Sequence, residues 1–474
     1  MRKVGLTIAV LACVVHLGRA AGRQGGRAAV DEVFGAFDQP GSPGCAVAIY
    51  KDGKVEYERG YGMASLEHDL PITPESVFYV GSLSKQFTAF AAALAIKDGH
   101  LSLDDSIRRH LPELPEYASR ITVRHLIHHT SGLRDYNTLL SIAGRRGDEA
   151  FDNDIVLRIA SRQKKLNFEP GAEYLYSNTG YTLLATIVER ATKTPFAEYA
   201  ERKIFQPLGM AVTHFHVDES RLVKHRASAF SRQGERLVLD TPSNERAGAG
   251  GVFSSVRDLL HWDENFYTAR VGGRALVDQV QTPGTLNDGT VLNYAWGLQI
   301  GKYRGLKLVE HSGSLGGYRA HLMRFPDAHY SLAALCNLGS SAPGTLLRQV
   351  ADATLSARFT EPRPAPPAGA AGTGGGQRGR GSAPRGSTPA VVAADYAGSY
   401  YSDEADATFT VTASENRVLL RRDSDREATE LQPSGVDEFR FRGMSVRFER
   451  DANKRVTALA VDAGRVRDVR FVKR

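Results

Sequence analysis

Apolar and polar positions change rhythm three times along this chain of 474 residues. Cys45–Tyr50 is an apolar run, Asp52-Gly53 offers a tight turn, and Val55–Glu58 resumes as a strand, which together predict a β-hairpin. From residue 84 to about 204 the spacing becomes helical, with an alanine-rich stretch from Phe87 to Ile96 and another pattern over Tyr181–Ala191. Strands are expected again at Ala295–Ile300, Lys307–Val309, His321–Phe325 and Ser331–Cys336. An early hairpin, a helical middle and late strands predict an α+β architecture. One antiparallel sheet has ends that meet, helices and a helical subdomain flank it, and a cleft lies between.

The pattern stops after residue 360. Residues 361–390 are Pro, Gly, Ala and Arg with almost nothing apolar to bury, so they read as a flexible linker. Beyond it, Phe409/Val411, Phe439/Phe441, Val446/Phe448, Val456/Ala458 and Val469/Phe471 alternate with polar partners. Turns fall at Glu415-Asn416, Asp451–Asn453 and Ala463-Gly464. Residues 391–474 therefore predict a small all-β meander or barrel, and residues 21–360 the main domain. At the other end, Met1-Arg2-Lys3 precedes an apolar segment from Leu6 to Leu17 and small residues near Ala20. Residues 1–20 read as an export signal, too short to span a bilayer, so a periplasmic or secreted protein is expected. Val10-Leu11-Ala12-Cys13 only loosely matches a lipid-attachment box, because Leu11 fits poorly and the apolar run continues past Cys13.

Charge narrows the partners. With 60 Lys and Arg against 53 Asp and Glu, a net +7 is mild for this length, and the linker arginines 363, 378, 380 and 385 read as solvating groups. No nucleic-acid partner or membrane span is indicated, and no oligomeric state is implied. His125, His128 and His129 cluster without a fuller ligand set, and His214 and His216 read as surface or loop packing. Neither a Gly-x-Ser-x-Gly elbow nor a phosphate-binding Gly-x-x-x-x-Gly-Lys-[Ser/Thr] loop occurs. No metal or cofactor is expected, and the partner is a small-molecule or peptide substrate.

Three short motifs carry the candidate chemistry. Ser82-Leu83-Ser84-Lys85 follows the apolar run Val77–Val80 and a turn-permitting Gly81, then opens a helix. There Ser82 would meet unpaired backbone N–H groups, and Lys85 would lie one turn on along the same face. A second Ser-x-x-Lys, Ser161-Arg162-Gln163-Lys164, sits in a polar run and reads as a solvated helix end. Tyr176-Ser177-Asn178 lies between the turn Glu169-Pro170-Gly171 and a helix, where a phenol can relay a proton and an amide can hold a lysine or a carbonyl. His311-Ser312-Gly313-Ser314 follows the strand Leu306–Val309, with glycines that let backbone pass close to a ligand added as a further strand. A nucleophile, a proton carrier and an electrostatic cradle are what acyl transfer requires.

These motifs resemble those of the serine β-lactamase and penicillin-binding superfamily, in its Tyr-x-Asn branch of D-alanyl-D-alanine carboxypeptidases, D-aminopeptidases and esterases. His128–Leu133, Phe168–Gly171, Pro207–Met210 and Gly250–Ser255 resemble its connecting signatures, so the likeness runs from about residue 30 to about 357. The resemblance implies a β-lactamase/transpeptidase-like fold and an acyl-enzyme on Ser82, with Lys85 and Tyr176 sharing acid and base work. Asn178 would position substrate or lysine, and the N–H groups of Ser82 and Ser314, beside Gly313, would form an oxyanion hole. His311 stands where the superfamily usually has a lysine. Histidine is only partly charged near pH 7, which moves the expectation from lactams toward peptides or esters. A D-amino-acid-specific peptidase of the carboxypeptidase kind is the leading expectation, a carboxylesterase the alternative. A lactamase and a non-catalytic binding protein stand further back.

Cys45 and Cys336 lie in apolar strand-like runs. Two buried thiols is the plainer reading. In the superfamily the first and last strands are neighbours, which would also allow a cross-strand disulfide.

Overall fold

In a computed structural model, which describes residues 27–145, 152–243, 246–363 and 392–474, strands β1 (Cys45–Lys51) and β2 (Lys54–Tyr61) form the expected hairpin. The turn residues Asp52 and Gly53 are both left-handed, at φ +49° and +74°, a conformation that favours these two residue types. The late strands are β3 (Gln299–Tyr303), β4 (Leu306–Leu315), β5 (Tyr318–Phe325) and β6 (Tyr330–Cys336). One antiparallel sheet results, in the order β3-β4-β5-β6-β1-β2. The export-signal residues 1–20, and all of the 361–390 linker after Arg363, lie outside the described residues.

The sheet's ends meet where β1 pairs with β6, and the register sets Cys45 opposite Cys336. A disulfide joins these two residues, 291 positions apart in sequence. The plainer expectation of two free thiols is thereby corrected. Burial of both runs was legible, whereas the register that sets sulfur against sulfur was not.

Strand β1 is covered on both faces, which explains its unbroken apolar run. Ala46, Ala48 and Tyr50 join the main core with helices α1 (Ser84–Lys97), α2 (Asn178–Thr192) and α3 (Val256–Thr268). Cys45, Val47 and Ile49 face a second core closed by α4 (Pro343–Thr354). Helix α1 is buried from Ser84 through Ala95. It is a central helix that is apolar all round.

Two strand boundaries differ from expectation. Ala295–Leu298 is a tight turn, with Ala295 N–H donating to Leu298 O at 2.8 Å. Gly297, at φ +71°, packs so closely that a Cβ there would lie 2.6 Å from the backbone of Lys85 and Gln86. The strand therefore begins only at Gln299. In contrast, β4 continues through the whole His311–Ser314 motif. His214 and His216 are also buried rather than superficial, at 5% and 1% exposure, and their rings pack on Phe253.

Residues 398–473 form a nine-stranded antiparallel sheet around a core that includes the predicted Phe409, Val411, Phe439, Phe441, Val446, Phe448, Val469 and Phe471. The strands at the two ends of its order, Thr429–Glu430 and Gln432–Gly435, are separated only by Leu431. The sheet must therefore curl nearly into a barrel. It docks on the helical subdomain, whose Leu139, Ile142 and Ala143 complete its core. Among the described residues, no helix is long and apolar enough to cross a membrane.

Candidate active site

Gly81, at φ +56°, turns the chain from the short strand Phe78–Tyr79 into a 3-10 turn, Gly81–Leu83, that leads into α1. Ser82 thus stands just ahead of α1 and lines the cleft. One turn on, Lys85 is fully buried. Its Nζ lies 3.1 Å from Ser82 Oγ, 2.9 Å from Asn178 Oδ1 and 2.7 Å from Ala249 O. No carboxylate hydrogen-bonds to it among the described residues. Burial and then the Arg465 charge push its pKa well below the ordinary lysine value, against a weaker opposing pull from Asp135.

Ser177 caps α2, its hydroxyl accepting from Gly180 N–H at 3.3 Å, which directs Asn178 inward at the first helical position. The Asn178 N–H donates to Asp135 Oδ2 at 2.6 Å. The Tyr176 ring lies 4.8 Å from Lys85 Nζ and 4.2 Å from the His129 ring. Burial raises the Tyr176 phenol pKa, partly offset by a hydrogen bond with Ser82 and by Arg465. It stays protonated at neutral pH. His129 Nδ1 accepts from Ser177 N–H at 3.1 Å, and burial holds that ring neutral.

On the opposite wall, β3 pairs with β4 only as far as Glu310, so His311–Leu315 have a strand partner on the β5 side alone. The free edge faces the cleft. His311 and Gly313 are buried, whereas Ser312 and Ser314 point outward with the two-residue period of a strand. Gly313 is required by close approach: a Cβ there would lie 1.9 Å from Val80 O and 3.0 Å from Ser82 N. Gly81 is its counterpart, because its Cβ would lie 2.4 Å from Ser314 N. These two bare backbones let β4 lie against the Ser82 turn, with Ser314 N beside Gly81 and Ser82 N beside Gly313.

His311 departs from the expected partial charge. It is 2% exposed, and its pKa is pushed down to about 3, by burial first and Lys85 second. Nδ1–H donates to Ser312 O at 2.6 Å, and Nε2 accepts from the Tyr294 hydroxyl at 3.1 Å. A neutral ring occupies this place, not a cation.

The structure brings together Ser82, Lys85, Tyr176, Asn178, His311, Gly313 and Ser314 in one cleft of about 2200 Å³. It leaves the other Ser-x-x-Lys outside, since Ser161 ends a surface helix and Lys164 pairs with Asp403. Ala249, Asp135, Tyr294 and Arg465 were not singled out from sequence. Ala249 adjoins the Gly250–Ser255 signature and Arg465 adjoins the Ala463-Gly464 turn, which were the available signals. Such a site can stabilise an oxyanion and move a proton to and from a serine hydroxyl.

A beta-lactamase family model matches residues 30–356, the span over which the motifs show their likeness. The chain is similar to a D-aminopeptidase of Gluconobacter oxydans (strain 621H), 31% identical over 316 residues that cover 66% of this chain and 58% of that protein. It therefore spans less than two thirds of that relative's length. It is also similar to penicillin-binding protein 4* of Bacillus subtilis (strain 168), 29% identical over 420 residues, 85% of this chain and 89% of that one. Among solved structures, an octameric penicillin-binding protein homologue from Pyrococcus abyssi shares the fold. Its TM-score is 0.61 at 24% identity, covering 94% of this chain and 99% of that one.

Proposed function

This chain belongs to the beta-lactamase family, and we propose that it is an exported serine hydrolase that cleaves D-amino-acid peptides through an acyl-enzyme on Ser82. The Lys85 environment carries the reading. A neutral amine has two N–H donors and one lone pair. Asn178 Oδ1 and Ala249 O take the two donors, which leaves the lone pair for the Ser82 hydroxyl 3.1 Å away. Lys85 then withdraws the Ser82 proton as Oγ attacks the carbonyl, and the Ser82 and Ser314 N–H groups hold the resulting oxyanion. Tyr176, kept protonated by burial, delivers a proton to the departing amine as the C–N bond breaks. Lys85 passes the proton it took to the Tyr176 phenolate, and water then cleaves the acyl-enzyme, its hydroxyl going to the carbonyl and its remaining proton to Ser82 Oγ. His311 orients the edge against which the substrate lies, and Asn178 fixes the lysine.

The carboxypeptidase form, removing a terminal D-alanine, is the reading we adopt within this class. Similarity to a D-aminopeptidase and to a penicillin-binding protein supports the D-configuration. The Cys45–Cys336 disulfide supports export, because such bonds persist in oxidising compartments. We assign the acyl-transfer residues to a domain of residues 21–360, followed by the 361–390 linker and an all-β domain of residues 391–474. A carboxylesterase is the second reading, favoured by the neutral His311, which places no charge demand on an ester at the sheet edge.

The test is intact mass after treatment with a β-lactam or a fluorophosphonate, with Ser82→Ala as control. Mass addition on the native chain and none on the variant is expected. Labelling that survives Ser82→Ala refutes the assignment. Incubation with D-Ala-D-Ala peptides should release D-alanine; fast p-nitrophenyl-ester turnover without such release selects the esterase.

A further inference from the structure

The C-terminal domain reaches into the cleft. Its last hairpin joins the strands Val456–Ala463 and Val466–Lys473, and the connecting turn, Gly464-Arg465, lines the same cavity as Ser82. The turn is held from below by the helical subdomain. The Asn167 amide grips both its sides, donating to Arg465 O at 3.0 Å and accepting from Arg467 N–H at 2.9 Å. Arg134, fully buried, donates to Arg467 O and Asp468 O at 2.8 and 3.1 Å, and Arg467 forms a two-point pair with Glu173. A turn fixed at this many points presents its side chain at a defined place.

The Arg465 guanidinium stands 4.6 Å from the centre of the Tyr176 ring, one-third exposed to the cleft. Its nearest carboxylate oxygen, Asp135 Oδ2, is 3.9 Å away and already accepts from Asn178 N–H; Asp135 Oδ1 accepts from Thr138 N–H. Among the described residues, the Arg465 side chain makes no hydrogen bond. Of the other cations lining the cleft, Arg348 pairs with Glu310, Arg363 pairs with Asp352, and buried Arg246 lies over the Tyr136 ring. Lys302 stands exposed on β3, away from the Tyr176 ring that Arg465 covers. Lys85 is buried and held by Ser82, Asn178 and Ala249, and His311, its pKa pushed down to about 3, carries no charge. A planar fork of donors with a free face is suited to a carboxylate, which it can bind at two points.

We propose that Arg465 receives the free α-carboxylate of the residue that leaves, making the C-terminal domain part of substrate recognition. Position sets the side of the scissile bond. Tyr176 protonates the departing amine under the mechanism above, and Arg465 lies over Tyr176, so the carboxylate belongs to the departing amino acid. This proposal rests on the peptidase reading and sharpens it, because it selects substrates with a free C-terminus.

The experiment compares N-acetyl-D-Ala-D-Ala with its C-terminal amide, as the ratio of the two kcat/KM values within each variant. A change in Lys85 basicity acts on both substrates and cancels in the ratio. The native protein should favour the carboxylate by ~10- to 100-fold, the scale of a charge-assisted hydrogen bond. In Arg465→Ala the ratio should fall to near one, and Arg465→Lys should recover part of it. A ratio unchanged in Arg465→Ala, or near one in the native protein, overturns the proposal and leaves the peptidase reading standing. A native protein that cleaves neither peptide overturns both.

Discussion

Replacing Gly313 by alanine tests the backbone contact on which the oxyanion site depends. The new Cβ would sit 1.9 Å from Val80 O, and real Cβ contacts essentially never fall below 3.0 Å, so β4 must move away by at least 1.1 Å (3.0 − 1.9). The same Cβ would approach to 3.0 Å the Ser82 N, one of the two donors proposed for the oxyanion. A misplacement of ~1 Å near a reacting centre costs on the order of 100-fold, and loss of one oxyanion donor costs ~100- to 1000-fold, or about 2.7–4 kcal/mol. The acylation rate of Gly313→Ala, followed by time-resolved intact mass with a β-lactam, should therefore fall by ~100- to 1000-fold. Gly301→Ala on the neighbouring strand is the control, since its Cβ meets nothing within 4 Å. Thermal melts of both variants separate a local shift from unfolding. A folded Gly313→Ala protein that acylates within about threefold of the native rate refutes the convergence of these N–H groups as the oxyanion site.

Lys85→Ala and Tyr176→Phe should each lose at least ~100-fold in acylation rate, and near-normal acylation removes that residue from the mechanism. Because Lys85 acts when neutral and its pKa is depressed, kcat/KM should rise with pH through that lowered pKa; in Arg465→Ala the rise should move to higher pH, as pH–rate profiles would show. His311, with a pKa near 3, is neutral from pH 5 to 8, so His311→Gln should keep the profile's shape there, and loss of a limb near pH 6 would show that His311 titrates. Reducing the Cys45–Cys336 bond removes a constraint across 291 residues and should cost about 5–6 kcal/mol on a chain-entropy basis, read as a lower denaturant midpoint with reductant. Arg134→Met leaves its buried partner Glu404 unpaired and should cost about 3–5 kcal/mol, seen as early proteolytic release of the C-terminal domain.

What the sequence disclosed and what it withheld divide along one physical line. The Ser82–Lys85 spacing is a property of a single helical turn, and the β1–β2 hairpin of a two-residue loop, so both follow from local geometry. The C-terminal strands were legible because a two-residue alternation such as Phe409/Val411 has one structural meaning. The ionisation of His311 is different. Its side chain would be partly charged on an open strand, and only burial against Lys85 and Tyr294 makes it neutral. Arg465 is more distant still. It lies 380 positions beyond Lys85 in a turn of ordinary composition (465 − 85), and its effect on Lys85 exists only once Arg134 and Asn167 have docked the barrel. If that docking supplies both a charge that weakens lysine protonation and a fork for the substrate carboxylate, then the two domains cannot be separated without altering basicity and selectivity together. The C-terminal domain is on this argument a component of the active site, and its contacts with residues 134–173 are as much a part of the chemistry as the Ser82–Lys85 pair.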